Sequence, residues 1–407
     1  MLFKTFIEFL NTFDRKLKTI LKPPKRIHIC LSLLEIVPTL VSVVVVSVAV
    51  FLSGCKKTDQ SKTNDPPTFA IYSALPNKIF SQGISEILSK ENSEMNVVIA
   101  NDIDEAIESQ ADVLIIVMDR SVTISQSVVD KLKKKKVIGI GYGAAEIFSM
   151  LGLEINNGAC AHSDDHEPVI RIQDNNLLRN LEFTDSFKAF DIPLYSLYLT
   201  DIKKLDYNFS MHIPEKSHLC SVVDVIARNV SDDNPRLENY APIVRQGNYI
   251  LIGLAAPPNM WSPKYRSLFR QISYALHSRP LEKFSIAQWE VTSPGTYDFS
   301  LAESNNTKGL SRRTFYFKFS RPTTFTASLE HKGSNSMMML YMGDSNYTSK
   351  IRKDAKQGEQ LKIKIDINDM EIDMMEDRYW KLDVTNFDSE NPSNCSLDIR
   401  YDNGNER

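Results

Sequence analysis

Between residues 68 and 151, short apolar runs rich in β-branched residues alternate with stretches whose apolar side chains recur at helical spacing. This switching of period constrains the fold more than any other feature of the chain. The runs are 69–73, 96–100, 113–117 and 137–141. Helices are expected over 78–90, 103–109, 125–134 and 144–151, with Asp102 placed to cap the second. Runs that are apolar throughout are buried on both faces, which implies a parallel sheet. Right-handed crossovers then set helices on both sides, giving a doubly wound α/β domain over 68–280. Ligands in such sheets bind at the carboxyl ends of the strands. Residues 180–240 are less regular and are expected to cap those ends.

The chain has 407 residues, 48 basic and 51 acidic side chains, and a net charge of -3. That balance gives no global basic field, so no nucleic-acid partner is expected. The charge is unevenly placed. Residues 1–54 carry seven basic and three acidic groups, which leaves the remainder acidic. No charge occurs from Ile36 to Gly54, a length that suits a membrane span or a long export signal. Leu52-Ser53-Gly54-Cys55 resembles a bacterial lipobox, in which the cysteine receives a diacylglycerol and the small residues admit the peptidase. That resemblance implies a leader over 1–54, lipidation at Cys55 and a polar tether over 55–67. An uncleaved signal anchor fits the same residues. Either reading puts the body on the extracytoplasmic side, at the cell membrane or outer membrane.

The run after 136 ends in Gly139-Ile140-Gly141-Tyr142-Gly143-Ala144, a strand, a tight turn and a helix start. It resembles the nucleophile elbow of class I glutamine amidotransferase-like proteins, with Gly141 where the cysteine would stand. Residues 240–258 resemble the late hairpin of that fold, turning at Gln246-Gly247-Asn248. Ala255 and Ala256 occupy the region of the histidine base, and Pro257 and Pro258 follow. A closing helix over 264–276 would start from Ser262 and Pro263. The resemblance covers about 68–280 and implies a flavodoxin-like or amidotransferase-like sheet without its catalytic pair. A thiol nucleophile needs a neighbouring base, and neither is present at these positions. A ligand would then meet Gly141, Tyr142, Gly143, Ala144, Ala255 and Ala256. A helix N-terminus of this kind suits a small anion; the glycines serve equally well for close helix–sheet packing.

Residues 160–167 gather Cys160, His162, Asp164, Asp165, His166 and Glu167. His162, Asp164, Asp165 and His166 are candidate ligands for a divalent metal, while a solvated loop reads the same way. No other cofactor is expected. Cys160 and Cys220 are allowed to pair by compartment.

After Pro280 the pattern is all-β, with runs at 287–292, 295–301, 313–320, 323–330, 337–342, 360–367, 379–386 and 396–401. Eight short strands predict a jelly-roll sandwich over 285–404. The segments 294–299, 314–319, 339–344 and 378–401 resemble the bacterial pre-peptidase C-terminal domain, which implies a non-catalytic accessory module. The functional expectation is therefore an envelope lipoprotein that binds a ligand or a protein. A hydrolase or amidotransferase-like enzyme with a displaced site is the alternative.

Overall fold

The computed structural model describes residues 66–75, 78–89, 95–119, 123–156, 160–161, 169–173, 177–178, 191–195, 209–213, 217–230, 238–253, 256–304, 311–332, 336–342, 349–355, 359–375 and 379–402. Pro66–Arg407 forms one compact unit. The leader, Cys55 and the tether lie outside the described residues, apart from Pro66 and Pro67.

Four strand–helix pairs follow one another from the start of this unit. They are β1 (Thr68–Ser73) with α1 (Ile79–Ser89), β2 (Asn96–Ala100) with α2 (Ile103–Glu108), β3 (Val113–Val117) with α3 (Gln126–Leu132), and β4 (Lys136–Ile140) with α4 (Tyr142–Met150). Local chemistry sets the helix starts. The Asp102 carboxylate accepts from the Glu105 N–H, and the Ser125 hydroxyl accepts from the Val128 N–H. The chain continues through β5 (Cys160–Ala161), β6 (Val169–Ile172), β7 (Ile192–Pro193), β8 (Ser210–His212), β9 (Asp224–Asn229) and β10 (Tyr240–Ala241). It then forms the hairpin of β11 (Ile243–Gln246) and β12 (Tyr249–Ile252), and α5 (Pro263–Ser278). Gly247 turns the hairpin at φ +55, and Ser262 caps α5 with Pro263 at its first position.

Nine strands form one mixed sheet in the order β2-β1-β3-β4-β12-β11-β9-β6-β7. The first five in that order are parallel, and the hairpin reverses direction at β11. One face packs on α1 and α5, through Phe69, Ile115, Trp261 and Phe269. The other packs on α2, α3 and α4, through Leu114, Val129, Phe148 and Leu251. β3, β4 and β12 are buried at every position, as their unbroken apolar runs require. The region 180–240 differs from a simple cap, because β9 lies inside the large sheet between β11 and β6. Its Ile226 and Ala227 supply buried apolar surface.

The rest of the chain builds two four-stranded antiparallel sheets. They use β13 (Gly295–Leu301), β14 (Arg312–Phe317), β15 (Thr323–Lys332), β16 (Ser336–Met342), β17 (Ser349–Ala355), β18 (Leu361–Ile367), β19 (Trp380–Asn386) and β20 (Ser393–Asp402), with the short α6 (Asp369–Met374) before β19. The orders are β13-β20-β15-β18 and β14-β19-β16-β17. Phe317, Phe325, Leu340, Ile363, Leu382 and Leu397 fill the space between them.

Eight strands were expected here and eight form, but they are not the same eight. Residues 287–292 make no strand; Val291 bridges Tyr316 and nothing more. That stretch is occupied instead with a contact described below. β17 takes its place, with the sequence Ser-Lys-Ile-Arg-Lys-Asp-Ala. It is an edge strand, and charge on an edge hides apolar alternation while protecting the edge from further pairing.

Candidate functional site

The carboxyl ends of β1, β3, β4 and β12 line up at one edge of the large sheet. Backbone hydrogen bonds stitch this edge: Ala74 N–H to Val117 O at 3.0 Å, Met118 N–H to Ile140 O at 2.9 Å, and Gly141 N–H to Ile252 O at 3.0 Å. The Gly143 N–H donates to Met118 O at 2.9 Å. Two of the donors at the start of α4 are thus committed to the sheet. Gly141 itself stands at φ +91, ψ 176. In that region L-residues are strained and glycine is the usual occupant. The turn between β4 and α4 therefore rests on a backbone conformation that suits glycine.

Gly139 explains the neighbouring glycine. A Cβ there would lie 2.9 Å from Ala144 Cβ and from Phe148 Cζ, so α4 sits close on β4. Gly253, just past β12, is closer still. A Cβ there would meet the Phe209 carbonyl oxygen at 1.9 Å. The Phe209 N–H donates to Gly253 O at 2.8 Å, and its buried ring lies 4.6 Å from that of Tyr142. A residue from the irregular region thus covers the ends of β4 and β12.

The candidate residues separate accordingly. Gly141, Tyr142, Gly143 and Ala144 come together in the first turn of α4. Ala144 is fully buried and packs inward. Ala256 is fully buried too, and its carbonyl accepts from the Trp261 indole at 2.7 Å. Ala255 lies outside the described residues, as do His162, Asp164, Asp165 and His166. Among the described residues, no group of three or more His, Cys, Asp or Glu side chains could hold a metal. Cys160 is in β5 and Cys220 is exposed in the short turn 218–221.

A second polar cluster escaped sequence reasoning. It lies where the outer face of β14 and β19 meets the α/β part of the molecule. Glu154, just after α4, accepts from Lys381 Nζ at 2.8 and 3.1 Å and from the Trp289 indole at 3.0 Å. The side chains of Glu154 and Lys381 are only 7% and 13% exposed. Trp289 stacks on Tyr316 at 4.7 Å, and His218 meets both rings edge-on. Beside them, Asp383 accepts from Arg312 and, at 2.6 Å, from the Thr314 hydroxyl. The connecting chain is tied down as well. Asn248 exchanges hydrogen bonds with the Glu282 backbone at 2.7 and 3.0 Å, and Arg245 pairs with Asp224 and Glu282. One signal was visible: Lys381 and Asp383 alternate with apolar residues along their strand, as Thr314 and Tyr316 do with Phe315 and Phe317. Alternation marks an outer face without saying what covers it.

Two histidines feel this interface. Burial, helped by the guanidinium groups of Arg312 and Arg228, pulls His212 down to about 4. Burial also lowers His218, against the opposing pull of Asp383 and Glu154.

Two outcomes follow. Gly141→Ala should lower stability by about 1–3 kcal/mol through backbone strain, read as a shift of the urea midpoint; an unchanged midpoint would mean the turn tolerates a side chain. His212 is neutral when folded and titrates near 6.5 when unfolded. The unfolded state therefore takes up the proton first as pH falls. Stability should be full above about pH 6.5 and decline by up to about 3 kcal/mol toward pH 4. His212→Leu should flatten that part of a urea-midpoint profile, and an unaltered profile would remove His212 as its source.

No family model matches the chain, and no curated protein matches it.

Proposed function

We propose that the chain is a membrane-anchored lipoprotein of the bacterial envelope, facing the extracytoplasmic side, and that its folded part binds a partner without catalysis. The observation that carries the non-catalytic reading is that the turn between β4 and α4 is occupied by Gly141, which has no side chain to react. Catalysis at a nucleophile elbow needs a reactive side chain, and glycine supplies none. Phe209 over Gly253 points the same way, because it fills the ground a substrate would need at the ends of β4 and β12. The crowding also favours a protein partner over a small anion, since the Gly141 and Gly143 N–H groups are already engaged.

The α/β part reads best as a degenerate amidotransferase-like fold. The support is the parallel order β2-β1-β3-β4 followed by a late hairpin and a closing helix. The strand order of the two smaller sheets is that of a jelly roll, in line with an accessory module of the pre-peptidase C-terminal kind. The lipobox Leu52-Ser53-Gly54-Cys55 supports the anchor. Among the described residues no helix is long and apolar enough to cross a membrane.

Membrane fractionation tests the anchor. Cys55→Ser should release the protein from the membrane fraction or leave it as an unprocessed precursor. If neither Cys55→Ser nor inhibition of the lipoprotein signal peptidase alters size or location, the lipid anchor is wrong. Release of ammonia from glutamine by the purified full chain would separately overturn the non-catalytic reading.

A further inference from the structure

We propose that His331 and Cys395 form a site for a soft monovalent metal ion of the copper(I) class, inside one end of the β-sandwich. The inward row of β15 runs Thr323, Phe325, Ala327, Leu329 and then His331, so an imidazole stands where the alternation calls for a fifth core residue. Directly opposite it in the ladder is Cys395 of β20, on the same inward row as Leu397 and Ile399. His331 is 6% exposed and Cys395 is 4% exposed.

Neither nitrogen of the His331 ring has a hydrogen-bond partner. Ser336, at the start of β16, is 2% exposed and its hydroxyl is also unpartnered. Ser393 lies beside the thiol, with its Oγ 3.6 Å from Cys395 Sγ. An otherwise apolar row therefore ends in a buried imidazole with no partner, opposite a buried thiol that has a hydroxyl beside it. Burying such groups without a partner is unfavourable, and a bound ligand removes the penalty.

Residues directly opposite in antiparallel strands hold their Cβ atoms about 4.5–5.5 Å apart. Side chains on one face at that spacing can bring an imidazole nitrogen and a sulfur to one ion, each at about 2.0–2.3 Å. Soft thiolate ligands select copper(I) and zinc. Zinc prefers four ligands in a closed site, and no third His, Cys, Asp or Glu converges among the described residues. A two-donor nitrogen–sulfur pair suits copper(I) better. Binding replaces the thiol proton: the S–H bond breaks, a sulfur–metal bond forms, and one proton leaves to solvent with no change of oxidation state. Burial raises the pKa of the Cys395 thiol, so the unmetallated site holds a neutral thiol at neutral pH.

The test is a copper(I) titration of the full-length chain in detergent, reduced and without oxygen, against a chromophoric copper(I) chelator. Wild type, His331→Leu and Cys395→Ala are compared, with every other cysteine left unchanged in all three. Wild type should hold one equivalent that each variant loses or binds at least about a hundredfold more weakly. Copper(I) should raise the melting temperature of wild type and not of His331→Leu. Without metal, His331→Leu should melt no lower than wild type, because leucine removes two unpartnered nitrogens. If Cys395→Ala does not fold, His331→Leu decides alone. Wild-type copper(I) affinity in His331→Leu would overturn the proposal.

Discussion

The contact of Glu154 with Lys381 and Trp289 joins two structures that could otherwise have been separate. A carboxylate this deeply buried is expensive unless it is paired and hydrogen-bonded. Glu154 comes from the end of α4, and its partners come from the far side of the chain, up to 227 residues away. Neither side can bury its half alone. Once they meet, the stacked rings of Trp289 and Tyr316 exclude water, and the Asp383–Arg312–Thr314 group extends the polar seam. Removing one member of such a pair strands the other charge, at about 3–5 kcal/mol. The contact therefore specifies a single arrangement more than it adds net stability.

That arrangement bears on function. A β-sandwich on a flexible linker would be an independent accessory module. Here Glu282 is clasped by Asn248 and Arg245, and Phe284 packs edge-on against Tyr249. The α/β part offers a strand edge closed by Phe209, and the sandwich presents the outer face of β14 and β19 inward. The two parts thus belong to one compact unit.

Much of the fold was legible in the sequence because it rests on local signals. The apolar runs of β3 and β4, the Asp102 cap, the Gly247 turn and the Ser262-Pro263 start of α5 are each written within a few residues. The interface was not legible, because Glu154 in isolation is one more acid and Lys381 one more base. Their pairing depends on long-range topology. β9 was hidden by its place after an irregular region, and β17 by its charged edge. Residues 287–292 resemble a strand in pattern, yet Trp289 is drawn away to Glu154. At the candidate site, the residue types at 139–144 showed a turn and a helix start. They could not show the positive φ of Gly141, nor Phe209 arriving from about 70 residues later. The anchor and the cluster at 162–166 lie outside the described residues.

Calorimetric unfolding of the full-length protein tests the central claim that one buried contact makes the two parts a single cooperative body. Wild type should melt in one transition whose calorimetric and van't Hoff enthalpies agree, and Lys381→Met should split it into two. Two independent transitions in wild type, or a Lys381→Met trace that matches it, would contradict the account.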